Sequence, residues 1–120
     1  MPLTILNFDQ LRRLSGNPEP SPARVSMDPR GDTYITFVHV TVGGVKMCLH
    51  SEVHDAPQVP AEVSAAVEAF NADPFAAWAT LVEDAIDEEL DAIADRRRRL
   101  REDERNLAAL RARLLGDPEV

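Results

Sequence analysis

The chain carries three histidines and one cysteine, and all four fall between residues 39 and 54: His39, Cys48, His50 and His54. Imidazole nitrogen and thiolate sulfur are the ligands zinc prefers. His39, Cys48 and His50 would supply three of them, with His54 or Asp55 completing a tetrahedral set. The spacing matches no zinc motif, however, and a lone cysteine in a strand also reads as a small apolar side chain. Cys48 beside His39 has the composition of a nucleophile and its base. Such a pair needs a third group to orient the histidine and donors to hold an oxyanion, and no residue presents itself for either role. Gly43-Gly44 is a turn and not a phosphate loop, and no paired carboxylates stand beside a base. The expectation is a protein without catalytic residues and without a cofactor, the four metal candidates remaining unassigned.

A second concentration of chemistry is ionic. "EDAIDEELDAIADRRRRLREDER", residues 83 to 105, begins with seven carboxylates in thirteen residues and continues into four consecutive arginines. Arg96 to Arg99, with Arg101 and Arg105, have the charge to contact phosphates. No aromatic residue interleaves them and three acids follow at once, so direct nucleic-acid binding is not expected. A basic zipper would also place its basic region before its heptads. Pairs four apart and opposite in sign, Asp95 with Arg99, Arg98 with Glu102 and Arg99 with Asp103, describe a solvated helix held by its own charges.

The acidic half admits a sharper reading. Asp84, Asp87, Glu88, Asp91 and Asp95 lie at helical spacing on one face. Seven carboxylates over about 20 Å of helix come close to the ~3.4 Å charge spacing of one DNA strand. Such a stripe can occupy a nucleic-acid groove on another protein, as small acidic inhibitors do, some anti-CRISPR proteins among them. The plain alternative is an ordinary solvated face.

The elements that position these groups follow from pattern. Residues 33 to 53 are two β-rich runs around Gly43-Gly44, the residue pair a two-residue hairpin turn accepts. A straight register pairs Val42 with Val45, Val40 with Met47, Val38 with Leu49 and Tyr34 with Val53 on a core face. The other face then pairs Thr41 with Lys46, His39 with Cys48, Phe37 with His50 and Ile35 with Glu52. "ARVSM" at 23 to 27 supplies a third strand, which an isolated hairpin needs. Before the sheet, "NFDQLRRLSG" reads as a short helix with Asn7 at its start and Gly16 at its end, followed by a proline-rich connector. After it, residues 60 to 71 carry Val63, Ala66, Val67 and Phe70 at helical spacing.

Asp73-Pro74 then opens a stretch with no further Gly or Pro before Gly116. Those forty-two residues predict one helix of about 63 Å, against a radius of gyration near 14 Å for a compact domain of this length. Such a helix is expected to project and to need a partner for its apolar seam. Ala79, Ile86, Ile93, Leu100, Leu107 and Leu114 recur every seven residues, with Val82, Leu90 and Leu110 as companions. Arg97, Glu104 and Arg111 interrupt that seam. This is a coiled-coil pattern with a polar middle, where polar positions set register and partner. Met47 to Asp95 holds twelve carboxylates and no Lys or Arg, whereas Arg96 to Gly116 holds eight arginines against three acids. Parallel pairing stacks like on like, so the blocks favour an antiparallel pair. Attraction of acids to a helix N-terminus and of arginines to its C-terminus accounts for the same polarity within one chain.

The totals agree with this reading. At 120 residues, 44% hydrophobic and 28% charged, the composition is that of a folded protein with one modest core. A net charge of -8 disfavours polyanions and membrane surfaces and points to a basic partner. One cysteine excludes an internal disulfide framework, and the first ten residues lack a signal-peptide pattern, so a cytoplasmic protein is expected. The expected architecture is α+β: a small domain over residues 1–72 and a long coiled-coil helix over 73–116. Its expected work is protein binding as a homo-oligomer, most simply a dimer, without membrane contact. An acidic inhibitor that mimics nucleic acid is the alternative, and a metal-binding module at the hairpin a second one.

Overall fold

The computed structural model describes residues 2–116 and has the α+β architecture. In chain order the elements are α1 (Phe8–Arg12), β1 (Arg24–Arg30), β2 (Thr33–Val42), β3 (Val45–His54), α2 (Ala61–Ala72) and α3 (Pro74–Leu115). The strands form one antiparallel sheet in the order β1-β2-β3. The chain divides into two compact units, one reaching to Ala85 and the other beginning at Ile86.

Both hairpins turn on two residues. Gly43 and Gly44 take φ of 56° and 77°, the left-handed values that a type I′ turn demands at both positions. Between β1 and β2 the turn is Gly31-Asp32, with only Gly31 at positive φ, as a type II′ turn requires. That Gly-Asp signal lengthens β1 beyond the expected residues 23 to 27 and carries it through Pro29, tolerated because β1 is an edge strand.

The expected hairpin register holds from Val42/Val45 to His39/Cys48 and then slips by one. Leu49 is the extra residue of a β-bulge, and beyond it Val38 pairs with His50, Thr36 with Glu52, Ile35 with Val53 and Tyr34 with His54. Every later side chain of β3 changes face. Val53, expected in the core opposite Tyr34, points outward and is 64% exposed. The cause is polar satisfaction at this end of the sheet. The Leu49 carbonyl accepts a hydrogen bond from the Thr4 amide at 2.9 Å, and the slip brings His54 to the buried Thr36 hydroxyl at 2.6 Å.

The core of the first unit is built from the inner face of this sheet, Val38, Val40, Val42, Met47 and Leu49, closed by Val63, Ala66 and Phe70 of α2, Trp78 and Leu81 of α3, and Leu3. Asn71 adds a tie absent from the sequence pattern. Its side-chain oxygen accepts from the Ala23 amide at 2.7 Å and its nitrogen donates to the Ala23 carbonyl at 3.0 Å, bracketing the entry to β1.

Helix ends follow capping chemistry. The Asn7 side chain accepts from the Gln10 amide, and α1 closes at Arg12, short of Gly16, with the Arg12 guanidinium over the Phe8 ring. The Asp73 carboxylate accepts from the Ala76 amide at 3.2 Å and Pro74 occupies the first turn of α3. At its far end Gly116 takes φ 78° and donates to the Ala112 carbonyl, a left-handed cap. Asp117 and Pro118, which follow this glycine in the sequence, lie outside the described residues.

Candidate functional site

The bulge decides what the histidine and cysteine cluster can do. His39 and Cys48 are direct cross-strand neighbours on the outer face of the sheet, whereas His50 and His54 belong to the inner face beyond Leu49. The four metal candidates are therefore split between two faces, and among the described residues no three His, Cys, Asp or Glu side chains gather as a ligand set. The ring nitrogens of the inner pair are committed to protein partners. His54 donates from Nδ1 to the Ala56 carbonyl at 2.9 Å, which leaves Nε2 to accept from the Thr36 hydroxyl. His50 meets the Pro2 carbonyl through Nδ1 at 3.3 Å and the Glu52 carboxylate through Nε2 at 2.9 Å. Both of those partners are acceptors, so the ring satisfies the two together only with a hydrogen on each nitrogen.

On the outer face the Cys48 thiol donates to the His50 carbonyl at 3.3 Å. It does not bond to the His39 ring, which stacks on Phe37 with centroids 5.9 Å apart. Burial pushes the His39 imidazole below its ordinary 6.5, and the Lys46 ammonium adds to the shift. Among the described residues the His39 ring has no hydrogen-bonded partner that would orient it toward this sulfur.

The other candidate site is α3. Its apolar positions stand open to solvent: Leu100 is 61% exposed, Leu107 65% and Leu114 69%, with Ile86, Leu90 and Leu110 also exposed and Ile93 half-buried. Packing does not account for their identity, since the core ends at Leu81 and its flank at Val82.

Charges on the same helix pair differently from the four-residue expectation. Arg96 reaches back seven residues to Glu89 at 3.5 Å, and Arg98 turns back to Asp95 instead of forward to Glu102. Both bonds run from the arginine block into the acidic block, the direction that opposite net charges on the two blocks dictate. The acidic face is thereby graded. Asp84, Asp87, Glu88 and Asp91 are exposed, whereas Asp95 is half-buried and tied to Arg98.

The bonds of Glu52 with His50 and of Thr36 with His54 escaped the sequence reading because a bulge leaves no mark in strand periodicity. Comparison with known protein families, curated proteins and solved structures finds no match for the chain. No helix among the described residues is long and apolar enough to cross a membrane.

Proposed function

We propose that this is a non-enzymatic interaction or assembly protein that self-associates through α3 as an antiparallel coiled-coil dimer and binds a protein partner in the cytoplasm. The observation that carries the reading is the seven-residue series Ile86, Ile93, Leu100, Leu107 and Leu114 with its companions Leu90 and Leu110, all exposed except the half-buried Ile93. A single helix cannot bury such a stripe against itself, and apolar area leaving water contributes about 25 cal/mol per Å². Antiparallel pairing follows from charge, because it sets the acidic block of one copy beside the arginine block of the other. Arg97, Glu104 and Arg111 in the seam then favour one register over its neighbours.

Sedimentation equilibrium tests this. The wild-type chain is expected to be a dimer at tens of micromolar and to remain one at ~0.5 M salt, where the Debye length is only a few Å. The double substitution Leu100→Asp and Leu107→Asp is expected to leave a monomer.

The exposure of Asp84, Asp87, Glu88 and Asp91 supports a second reading, an acidic inhibitor that occupies the nucleic-acid groove of a basic partner. Salt separates the two. A charge-driven complex dissociates at ~0.5 M salt, where an apolar seam holds. Reversal of Asp87, Glu88 and Asp91 to lysine abolishes capture by a mimicked partner, while at ~0.5 M salt, where the added repulsion is screened, a seam-driven dimer stays assembled.

A further inference from the structure

We propose that the outer face of the sheet binds a phosphate-type oxyanion between Arg24 and Lys46, with the Ser26 and Thr41 hydroxyls and the His39 ring completing the cradle. An open cavity of about 420 Å³ lies on this face, and these five side chains are among its lining.

The register explains why cations collect there. Arg24 on β1 stands opposite His39 on β2, and Lys46 on β3 stands opposite Thr41 one row away. β1 and β3 flank β2, so the two cations sit on strands about 10 Å apart, a gap their long side chains close from both sides. The bulge at Leu49 completes the segregation. In a straight register Glu52 would share this face; the slip carries it to the inner face, where it pairs with His50.

No carboxylate lines the cavity, although the chain as a whole carries -8 and Lys46 is its sole lysine. The acid of β1 on this face, Asp28, stands opposite Ile35, two rows beyond Arg24. Among the described residues neither Arg24 nor Lys46 forms an ion pair, so an incoming anion displaces no internal partner.

The walls are fixed and the donors are varied. Ser21 accepts from the Thr41 amide at 2.9 Å and donates to the Pro22 carbonyl, which makes it a wall and not a ligand. A guanidinium offers paired N–H groups in the geometry of two phosphate oxygens, and a lysine adds a compact charge. Two full charges with hydroxyl donors around them suit a tetrahedral dianion better than a carboxylate.

His39 reports on occupancy. It stands opposite Arg24 of β1 and Cys48 of β3, has Lys46 one row away, and stacks on Phe37. Burial first and the Lys46 charge second lower the pKa of its ring from the ordinary 6.5. An anion beside Lys46 offsets that repulsion and draws a proton to the ring.

The test is an NMR titration of the full chain with inorganic phosphate at pH 7, ionic strength held constant with sodium chloride. Saturating shifts are expected at Arg24, Ser26, His39, Thr41 and Lys46, together with an upward move of the His39 titration midpoint. Lys46→Ala and Arg24→Ala, both at exposed positions, are expected to weaken binding about tenfold or more each. O-phosphoserine in place of inorganic phosphate separates the sources: tighter binding marks a small phosphate monoester as the ligand, equal or weaker binding marks free phosphate. Shifts that fail to saturate beyond those of chloride alone, or affinity undiminished in both variants, would overturn the proposal.

Discussion

His39 is a residue whose neighbours oppose its charge. Its folded-state titration lies below the ordinary 6.5, from burial first and Lys46 second. Between the two midpoints the unfolded chain binds more protons than the folded one, so stability rises with pH through that window and falls as pH drops below about 6.5. His39→Asn is expected to flatten that part of the stability-versus-pH curve, measured by chemical denaturation from pH 5 to 8. A slope unchanged by the substitution would assign it to other groups. Thr36 is the opposite case, a fully buried hydroxyl hydrogen-bonded to the His54 ring. Thr36→Val keeps the shape and strips the His54 ring of its donor, at an expected cost of about 1 kcal/mol in urea denaturation. The His39 and Cys48 neighbourhood was legible in the sequence because a two-residue turn fixes the pairing nearest to it. His50 and His54 were not, because one extra residue at Leu49 inverts everything beyond it and no local propensity announces the insertion.

Among the elements, the hairpins depend on backbone conformations that L side chains resist. Gly43→Ala and Gly44→Ala are each expected to cost about 1–2 kcal/mol, since both positions have positive φ. At Gly43 a new methyl would meet Pro18 at 3.4 Å, an ordinary contact, so the penalty there is conformational and not steric. Asn71→Ala removes both bonds to Ala23 and is expected to cost about 1–2 kcal/mol, with the loss of amide-exchange protection concentrated at the start of β1. The sheet, α2 and the start of α3 were legible because glycine pairs, β-branched runs and Asp-Pro each constrain the chain within a few residues. β1 was read short, its Gly31-Asp32 turn carrying a signal as definite as Gly43-Gly44 but obscured by Pro29. The Asn71 bracket had no signal, joining residues 48 apart in sequence through an amide that looks like any other polar helix residue.

For the whole molecule, a helix of forty-two residues with exposed leucines at a seven-residue repeat is an unfinished surface. On the proposed antiparallel pairing its opposite charge blocks would meet across two copies, and the Arg96–Glu89 and Arg98–Asp95 pairs express the same attraction within one chain. The absence of a helix breaker made α3 readable from end to end. The most direct measurement is sedimentation equilibrium at tens of micromolar in ~0.5 M salt, on the wild-type chain and on the Leu100→Asp, Leu107→Asp variant, with circular dichroism to confirm that both are folded. A wild-type chain at twice its monomer mass and a folded monomeric variant are the predicted result. A folded wild-type chain that sediments as a monomer throughout would contradict self-association through α3.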